Sequence, residues 1–499
     1  MGSPLAVRRN VSARLQSAAP WLLALVAMAV FAPALFFGFV SWDDPLHVTQ
    51  NPLVNGEGGV PWWHWLRTPQ LGYPSPVTVA TYRLEWVLAG PSPWLFHATN
   101  LVLHGVAVVL CHRLGRRLGL GLVGALVAAA VFGFHPVVAE PVTWVTGRKD
   151  LLAAVFVLAA TLESLAHPFH WKRPRSFVSA GLLLFAALCK PVALFALVAW
   201  PAMHVVLAEG LTRPQRWRRA LWSAAPVLAV AAALFPIALS GQAATGSLQA
   251  SGPADVLRQA WYAAGFHLGL VAMVRDNCAK YLPLPWPPPF DPLVDLLPLA
   301  FGAFGLLLST WLDAPRRRIA AAAAFWAVLA YLPSSSLIPL TRYLADVYLY
   351  LPLCGVGWFV GACVERALDR VAEARRWPLG ALVALVIAGL LIGPAIASAQ
   401  RWENSLTLWG QNAWAYPADF RLCRNVGNAY NELGEPGLAL QHYQSCRQTF
   451  ATDDFDKNIA VTLFRLGRYD EARAAFATLL ASHPDDAVVQ KYVRLLAQP

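Results

Sequence analysis

Residues 377–398 read WPLGALVALVIAGLLIGPAIAS and carry no charged side chain. A helix needs about 20 predominantly apolar residues to cross the hydrocarbon core of a bilayer. Arg375 and Arg376 stand just before this run, and Arg401 and Glu403 stand just after it. The stretch therefore predicts a membrane-spanning helix with a charged boundary at each end.

Ten similar apolar runs precede this stretch. The 499 residues are 57% hydrophobic and 13% charged, and this charged fraction is about half the usual quarter for soluble proteins. Several runs are short for a span, but a soluble core cannot hold eleven of them in succession. We therefore predict an all-α, polytopic bundle of about eleven spans in a lipid bilayer, and we exclude disordered, collagen-like and coiled-coil chains. The ten runs lie at 20–40, 94–112, 118–134, 151–166, 177–189, 191–208, 220–240, 294–312, 319–337 and 345–364.

The charge is distributed unevenly along the chain. Residues 1–403 contain 30 Lys and Arg and 18 Asp and Glu, whereas residues 404–499 contain 9 and 10. The net charge of +11 is thus the sum of +12 in the first part and −1 in the second. We predict a membrane domain at 1–403 and a water-soluble domain at 404–499. Because the cations gather at the ends of apolar runs, no nucleic-acid partner is expected.

Basic residues cluster at every second junction between apolar runs. Cytoplasmic loops carry an excess of Lys and Arg, so these junctions are predicted to be cytoplasmic. The N-terminus then lies in the cytoplasm, the first span is retained as an anchor, and residues 404–499 are non-cytoplasmic. The Ala- and Arg-rich composition favours a bacterial inner membrane. The clusters are Arg8/Arg9/Arg14, Arg113/Arg116/Arg117, Lys172/Arg173/Arg175, Arg213/Arg216/Arg218/Arg219, Arg316/Arg317/Arg318 and Arg366/Arg370/Arg375/Arg376.

The amphipathic segment 258–282 does not fit this count of spans. It places Arg258, His267, Arg275 and Lys280 among apolar neighbours. If the segment crossed the bilayer, every later basic cluster would move to the outer side. An interfacial or re-entrant helix on the outer side preserves the pattern, and this is the arrangement that we predict.

Residues 404–499 contain an internal repeat with a spacing of 33. In each unit Leu-Gly would end one helix, and a small Ala would let the next helix pack closely against it. The pattern resembles the tetratricopeptide repeat, and it is followed by a last helix at 485–497. About three such units are normally needed for stability, so we expect the tail to lean on the membrane domain or on a partner. Such repeats commonly bind protein segments, which we favour over the alternative of a structural spacer. The repeated pairs are Asn425/Asn458, Leu433/Leu466, Gly434/Gly467, Ala439/Ala472 and Tyr443/Phe476.

Two of the seven cysteines fall in this repeat domain. Cys423 lies near the start of the first helix of a repeat, and Cys446 lies near the end of its antiparallel partner. These positions are neighbours in a helical hairpin, and a non-cytoplasmic compartment would permit a disulfide between them. The sequence leaves the disulfide open. No Cys/His spacing in the chain predicts a metal site.

The first external loop opens with Ser41-Trp42-Asp43-Asp44-Pro45, directly after the first span. Adjacent carboxylates at a membrane exit are costly unless they are solvated, paired or used. One can act as a general base toward a hydroxyl acceptor, while the other orients that acceptor or binds a divalent cation. A solvated turn is the alternative, because Asp-Asp-Pro is also ordinary turn chemistry. Asp43 and Asp44 are the candidate catalytic residues, and a divalent cation near them is the one candidate cofactor.

A second group of ionisable residues is expected on the same outer side. Lys190 and Arg342 lie at other outer ends of the predicted spans. Cations are disfavoured on this side of the membrane, so the presence of these two requires an explanation. The simple explanation is that their side chains snorkel toward the membrane interface. Converging external cations indicate an anionic ligand such as a lipid phosphate. The external loop that follows the run 118–134 adds His135, Glu140, Arg148, Lys149 and Asp150.

The order of several motifs along the chain points to a family. The chain carries Trp42-Asp43-Asp44, Asn51-Pro52, Thr81-Tyr82-Arg83-Leu84, Phe96-His97 with Asn100 and His104, His135-Pro136 with Glu140 and Gly147-Arg148-Lys149-Asp150-Leu151-Leu152, Cys189-Lys190-Pro191, Tyr348-Leu349-Tyr350-Leu351-Pro352, and Arg401-Trp402 with Leu408-Trp409. In this order they resemble the transmembrane and tetratricopeptide-repeat proteins of the C-type glycosyltransferase superfamily, which include protein O-mannosyltransferases. The resemblance covers nearly the whole chain.

The resemblance implies an enzyme that transfers a sugar, with mannose as the first candidate, from a polyprenyl-phosphate-linked donor. The acceptor would be a protein hydroxyl on the non-cytoplasmic side. In such enzymes the acidic pair of the first loop lies at the catalytic centre, and it maps onto Asp43 and Asp44. Arg148, Lys190 and Arg342 are the candidates for holding the phosphate of the leaving lipid.

Two positions depart from the family's pattern. Relatives commonly carry an arginine where this chain has Ser75, and another where it has Val347. Arg83 and Arg342 are candidates to replace them in part. The missing cations favour the rival hypothesis of a non-enzymatic, membrane-anchored scaffold whose repeats bind envelope proteins. A transporter ranks last because no inverted repeat or mid-span charge is evident.

Overall fold

A computed structural model describes residues 4–66, 68, 73–208, 210–244, 252–273, 288–337, 342–450, 452 and 455–497. Every regular element in these ranges is a helix, which confirms the predicted all-α class. Packing divides the chain into a larger unit, Met1–Phe37 with Asp43–Gln400, and a smaller unit, Gly38–Trp42 with Arg401–Pro499. The predicted division at 403/404 falls close to the second boundary, whereas the membership of Gly38–Trp42 in the smaller unit was not predicted.

The larger unit is a bundle of helices joined by short 3-10 turns. Its apolar core is formed mainly by α4, α5, α7, α14 and α15, whose buried side chains form one continuous cluster. In the described residues its α-helices are α1 Pro4–Phe31, α2 Pro52–Asn55, α3 Pro76–Ala89, α4 Trp94–Leu118, α5 Leu122–Phe134, α6 Ala139–Thr143, α7 Arg148–Ala166, α8 Val178–Cys189, α9 Ala196–Leu207, α10 Arg213–Ala244, α11 Pro253–Val271, α12 Pro292–Asp295, α13 Leu297–Trp311, α14 Ala314–Tyr331, α15 Tyr350–Leu368 and α16 Glu373–Gln400.

Several of these helices are suited to cross a bilayer. Each of the eleven predicted apolar runs contains helix. Within the described residues, five helical segments are long and apolar enough to span, or six if the bent pair Leu122–Phe134 and Pro136–Thr143 forms one span. The protein is thus a multi-pass membrane protein, and the count of about eleven spans stays a prediction. The five segments are Gln16–Phe36, Trp94–Leu118, Pro292–Trp311, Asp346–Leu368 and Glu373–Gln400.

The segment predicted to lie in the outer interface begins within α11. The Arg258 guanidinium on this helix pairs with the Asp295 carboxylate at the end of α12, with Nη2 2.9 Å from Oδ2. Residues 274–282 of the segment, which include Arg275 and Lys280, lie outside the described residues. The interfacial placement therefore stays a prediction.

Helices α5 and α15 approach each other through small residues. Gly357 and Gly361 are four residues apart on one face of α15, and a Cβ atom at these positions would meet the carbonyl oxygens of Ala128 and Gly124 at 2.6 and 2.2 Å. Small residues at such a spacing let the backbones of two membrane helices come close together. One turn further, Glu365 Oε1 accepts a hydrogen bond from the Gly124 N–H at 2.8 Å. This contact fixes the start of α5, which leads into the segment 135–147.

The smaller unit is an array of antiparallel helices. Gly434 and Gly467, with φ of 77° and 73°, end the first helix of each hairpin in the left-handed conformation that glycine favours. Ala439, Tyr443, Ala472 and Phe476 are fully buried in the core between the helices, as the repeat pattern predicts. The assignment as tetratricopeptide repeats stays a prediction. The helices are α17 Ser405–Ala415, α18 Phe420–Glu432, α19 Pro436–Phe450, α20 Asp456–Arg465, α21 Tyr469–Ser482 and α22 Ala487–Leu496.

A disulfide joins the first hairpin of this array. Cys423 on α18 is bonded to Cys446 on α19, with their Cα atoms 6.2 Å apart. The disulfide that the sequence left open is therefore present. It cross-links two cysteines that are 23 residues apart in the chain, and it constrains the unfolded state of the hairpin.

The short segment Gly38–Trp42 packs with the start of the smaller unit. The Trp42 ring stacks near Trp402 and Trp409, at centroid distances of 6.1 and 5.4 Å. The Ser41 N–H donates to the Ser405 hydroxyl at 2.9 Å. Trp42 and Trp402 are 360 residues apart in the sequence. Their aromatic rings nevertheless stack on each other.

Candidate active site

The acidic pair lies at an irregular turn of the larger unit. Pro45 starts a π-helical turn, Pro45–Thr49, directly after Asp44. The His47 N–H donates to the Asp43 carbonyl oxygen at 2.9 Å, which closes this turn over the pair. Single π-helical turns are rare and often occur at functional sites. The local sequence thus holds two adjacent carboxylates in fixed and different directions.

Asp44 points into the protein. Its residue is 1% exposed, and its Oδ1 accepts hydrogen bonds from the N–H of Thr146, at 3.2 Å, and from the Thr146 hydroxyl. Hydrogen bonds to a carboxylate favour its charged form and fix its position. Asp44 therefore ties the segment that follows the first predicted span to the turn before α7, and it is well placed to orient other groups.

Asp43 is more open. Its side chain is 19% exposed, and its Oδ2 lies 3.9 Å from the ammonium Nζ of Lys149. At this distance the two groups form a loose ion pair, and another group has room to approach the carboxylate. Of the two acids, Asp43 has the surroundings that a general base for an incoming hydroxyl needs.

Three successive residues at the start of α7 face three different partners. Consecutive residues of an α-helix are rotated by about 100°, so Arg148, Lys149 and Asp150 cannot share one direction. Arg148 points into the core, Lys149 toward Asp43, and Asp150 toward Lys190. The Arg-Lys-Asp motif therefore serves three separate contacts and does not form one patch.

Arg148 is fully buried and completely engaged. Its Nη1 lies 2.9 Å from Glu85 Oε1, its Nη2 donates to the Phe96 carbonyl at 2.6 Å, and its Nε donates to Asn100 Oδ1. The guanidinium also lies over the Tyr82 ring, 5.1 Å from its centroid. This arrangement favours a structural role for Arg148, as the anchor of α7 on α3 and α4, over the predicted phosphate contact.

Lys190 stands at the edge of a small cavity. It follows α8 in an extended conformation, as expected for a residue before proline, and its Nζ lies 2.5 Å from Asp150 Oδ1. The Tyr348 ring lies 5.8 Å from this ammonium group. The cavity has a volume of about 20 Å³, which is room for about one water molecule. It is lined by Asp150, Lys190, Ser334, Val347, Tyr348 and Tyr350, among others.

Arg342 forms a bidentate ion pair with Glu140 of α6. Its Nη1 and Nη2 lie 2.6 and 3.2 Å from the two carboxylate oxygens of Glu140, whose residue is 2% exposed. Burial alone would lower the pKa of Arg342, but the Glu140 carboxylate raises it above the usual value. Arg342 is thus a permanently charged group, and 21% of its side chain remains exposed to other molecules.

Two predicted site residues make local structural contacts. His135 is 3% exposed, and its Nε2 lies 3.0 Å from the Val271 carbonyl while its Nδ1 accepts from the Val137 N–H. Arg83 Nη1 donates to the Val54 carbonyl at 2.8 Å and so closes the end of α2. Both residues hold loops in place, and in this arrangement neither lies among the converging ion pairs.

The two positions without arginine have different surroundings. Ser75 is 2% exposed and stands just before α3. Val347 is 6% exposed and lines the cavity beside Lys190. Because Arg83 is engaged with Val54, Arg342 is the better candidate to replace part of the missing charge.

The remaining ionisable groups form one mixed cluster. The pKa of Lys149 is lowered by burial, and the Asp43 carboxylate opposes this shift while Lys190 adds to it. Burial, with a smaller contribution from Lys149, also lowers the pKa of His47 well below its usual value. His47 is 3% exposed and thus a neutral imidazole beside the acidic pair. Asp43, Lys149, Asp150, Lys190, Glu140 and Arg342 form three ion pairs from five separate stretches of chain.

Sequence reasoning missed several partners of this site. Thr146 directly precedes the motif Gly147-Arg148-Lys149-Asp150, but nothing in its spacing showed that it would bind Asp44. Glu85 and Asn100 hold Arg148, and Tyr348 lies over Lys190. A buried acid on a helix as apolar as α3 was the available signal for Glu85, since such an acid requires a cationic partner.

Comparison with known proteins shows which proteins this chain is similar to. No family model matches the chain. Protein O-mannosyl-transferase Tmtc2 of Drosophila melanogaster is 34% identical over 212 residues, which cover 39% of this chain and 22% of that protein. Protein O-mannosyl-transferase TMTC4 of Homo sapiens is 25% identical over 488 residues, which cover 84% of this chain and 64% of that protein. The chain is similar to the TMTC protein O-mannosyl-transferases.

This similarity confirms the resemblance predicted from the motifs. The chain spans less than two thirds of the length of these TMTC proteins.

Among solved structures, the oligosaccharyltransferase of Archaeoglobus fulgidus, tethered with an acceptor peptide, has a TM-score of 0.46 and 11% identity. The match covers 77% of this chain and 55% of that protein.

Proposed function

We propose that the protein is a membrane glycosyltransferase. It moves a sugar, with mannose as the first candidate, from a polyprenyl-phosphate-linked donor to a hydroxyl acceptor on Ser or Thr of a protein. The observation that carries this proposal is the meeting of an open carboxylate, Asp43, with three cations at one site. The similarity to named protein O-mannosyl-transferases supports it.

The chemistry follows from the different surroundings of the two acids. Asp43 accepts the proton of the acceptor hydroxyl as that oxygen forms a bond to the anomeric carbon of the sugar. The bond from this carbon to the phosphate oxygen breaks, and the electron pair leaves with the polyprenyl phosphate. Because attack and departure occur on opposite faces, the sugar carbon inverts. Asp44 keeps its charge and its bonds to Thr146, and it orients the turn that carries Asp43.

The cations stabilise the charge that develops on the leaving phosphate. Lys190 and Arg342 keep exposed fractions of 15% and 21%, and each is oriented by a carboxylate, Asp150 or Glu140. Preorganised charges of this kind contribute strongly to catalysis because they need no rearrangement during the reaction. Arg148 supports them indirectly by holding the start of α7.

The topology and the tail complete the proposal. The N-terminus lies in the cytoplasm of a bacterium, and the smaller unit lies outside the inner membrane, where it binds the protein acceptor or another envelope protein. The disulfide Cys423–Cys446 supports this side, since oxidising compartments preserve such bonds.

One assay tests the proposed activity. Purified full-length protein receives a radiolabelled polyprenyl-phosphate mannose with a Ser/Thr-containing peptide, and label is followed into peptide and into free sugar. Asp43→Asn should lower kcat by about 100-fold or more, since general acid–base catalysis contributes about 10²–10⁴-fold. Asp470→Asn is the matched control, because its carboxylate is 97% exposed in the smaller unit. Equal turnover by wild type and Asp43→Asn would sink the proposed mechanism.

A non-enzymatic scaffold is the second candidate. The absence of arginine at Ser75 and Val347 favours it, because both positions are buried in the larger unit and Val347 lines the cavity beside Lys190. In that case the smaller unit would capture envelope proteins equally well in wild type and in an Asp43→Asn/Asp44→Asn double variant. Capture without any turnover by the wild type would select the scaffold.

A further inference from the structure

The sequence suggested a divalent cation near the acidic pair. The groups around Asp43 and Asp44 decide whether such an ion fits. Divalent cations such as Mg²⁺ are held by about six oxygen ligands with little tolerance in geometry. Asp44 Oδ1 already accepts two hydrogen bonds from Thr146, and Asp43 faces the Lys149 ammonium. With Lys149 in place these residues do not fit a divalent cation, because a positive charge already stands beside Asp43.

The part of the chain that the structure describes offers one compact group of metal-ligating side chains, and it lies elsewhere. This group is Cys423, His442 and Cys446 in the smaller unit. Its two sulfur atoms are bonded to each other, so neither is a thiolate ligand. It gives no reason to place a cation at Asp43.

The position of Lys149 is well defined. Its side chain is 14% exposed, and its ammonium lies 5.6 Å from the centroid of the Trp144 ring and 3.9 Å from Asp43 Oδ2. The preceding residue, Arg148, is locked into the core by its contacts with α3 and α4. The backbone that carries Lys149 is therefore held in place, and its charge stays next to Asp43 before any substrate arrives.

Each cation around the acidic pair already stands beside a carboxylate. Lys149 faces Asp43, Lys190 pairs with Asp150, and Arg342 pairs with Glu140. Asp44 accepts hydrogen bonds from Thr146. A doubly charged ion beside Asp43 would compete directly with the Lys149 ammonium.

We propose that the Lys149 ammonium is the built-in counter-cation of Asp43, so that sugar transfer at this site requires no divalent cation. Lys149 acts here as a positioning residue: it holds the open carboxylate in the direction of the acceptor hydroxyl. This inference rests on the proposed glycosyltransferase activity and specifies how its base is held.

The first experiment compares transfer in EDTA and in Mn²⁺. Wild-type activity should be the same in both. Lys149→Ala should lower kcat by about 10- to 100-fold with little change in KM, and Mn²⁺ should restore part of the loss by entering the vacated place. Lys149→Arg, which keeps the charge, should be at least about tenfold more active than Lys149→Ala. Lys190→Ala, which removes a cation paired with a different acid, should show no response to Mn²⁺.

The second experiment does not depend on activity. Mn²⁺ binding to the purified full-length protein is followed by electron paramagnetic resonance. Lys149→Ala should bind one Mn²⁺ that the wild type does not bind, and adding Asp43→Asn to Lys149→Ala should abolish it. A thermal unfolding scan confirms that each variant is folded.

Several outcomes would overturn the inference. Wild-type transfer that EDTA abolishes and Mn²⁺ restores would show that the ion is required. A wild type that binds Mn²⁺ through Asp43, or a Lys149→Ala variant that binds none, would show that the ammonium does not occupy a cation's place. If the wild type transfers no sugar under any condition, the proposed function fails, while the Mn²⁺ binding measurement still decides the role of Lys149.

Discussion

Asp43 and Asp44 are neighbours in sequence but occupy different environments. Asp44 is buried against Thr146, and Asp43 is partly exposed beside Lys149. Two chemically identical groups can take different roles when their surroundings differ in burial and hydrogen bonding. The pair therefore consists of one buried, hydrogen-bonded carboxylate and one partly exposed carboxylate beside an ammonium group.

The difference predicts different effects on stability. Asp44→Ala removes the acceptor of two buried hydrogen bonds from Thr146, and unsatisfied buried donors cost about 1–3 kcal/mol. Asp43→Ala removes only a loose ion pair, for which we expect less than about 1 kcal/mol. Thermal unfolding in detergent, monitored by size-exclusion chromatography, should show a lower midpoint for Asp44→Ala alone. Equal midpoints for the two variants would contradict the assigned environments.

Lys149 predicts a change in the pH dependence of transfer. The groups that act on its charge are Asp43, Asp150, Lys190 and Arg342, and burial lowers its pKa below the usual value. If the ammonium is needed, activity is present below this pKa and is lost as the pH rises through it. In Lys149→Arg the guanidinium stays protonated, so the alkaline loss of kcat should move to higher pH. An unchanged alkaline limb would show that another group limits the reaction there.

At the scale of elements, the crossing of α5 and α15 depends on the absence of side chains. Gly361→Ala would place a Cβ atom 2.2 Å from the Gly124 carbonyl oxygen, so the two helices must separate. Overpacking of this kind costs about 1–3 kcal/mol. We expect a lower unfolding midpoint for Gly361→Ala and no decrease for Gly389→Ala, whose Cβ would meet nothing within 4 Å.

This crossing also bears on the site. Helix α5 leads through Pro136–Val138 and α6 into Val145–Gly147 and then α7. Separation of α5 from α15 would therefore shift the loop that carries Glu140, Thr146 and Lys149. We expect Gly361→Ala to lower transfer as well as stability, while Gly389→Ala preserves both. Full transfer activity in a less stable Gly361→Ala variant would show that the crossing affects stability but not the site.

At the scale of the whole molecule, the cysteines report the side of the membrane on which the tail lies. The chain has seven cysteines, of which Cys423 and Cys446 are joined. In cells lysed in SDS, a maleimide reagent should label two more cysteines after reduction than before it. A Cys423→Ser/Cys446→Ser variant should show the same labelling in both cases. Wild-type labelling that does not increase on reduction would place the tail in a reducing compartment and would contradict the proposed topology.

Much of the architecture was predictable because it depends on local patterns. The apolar runs, the Leu-Gly helix ends and the spacing of 33 residues each describe neighbours along the chain, and each predicted run contains helix. The proximity of Cys423 and Cys446 also followed from the repeat. The approach of α5 and α15 did not, because it requires that Gly124 and Gly361, 237 residues apart, meet.

The sequence by itself determined that this is an all-α membrane protein with a helical tail, and it selected the charged residues that form the candidate site. Only the tertiary structure decided what each charge does. Arg148 and Lys149 look equivalent in the sequence, yet the first is buried on Glu85 and the second faces Asp43. The physical reason is that adjacent residues of a helix point about 100° apart, so their partners are set by whichever distant segments pack around that helix.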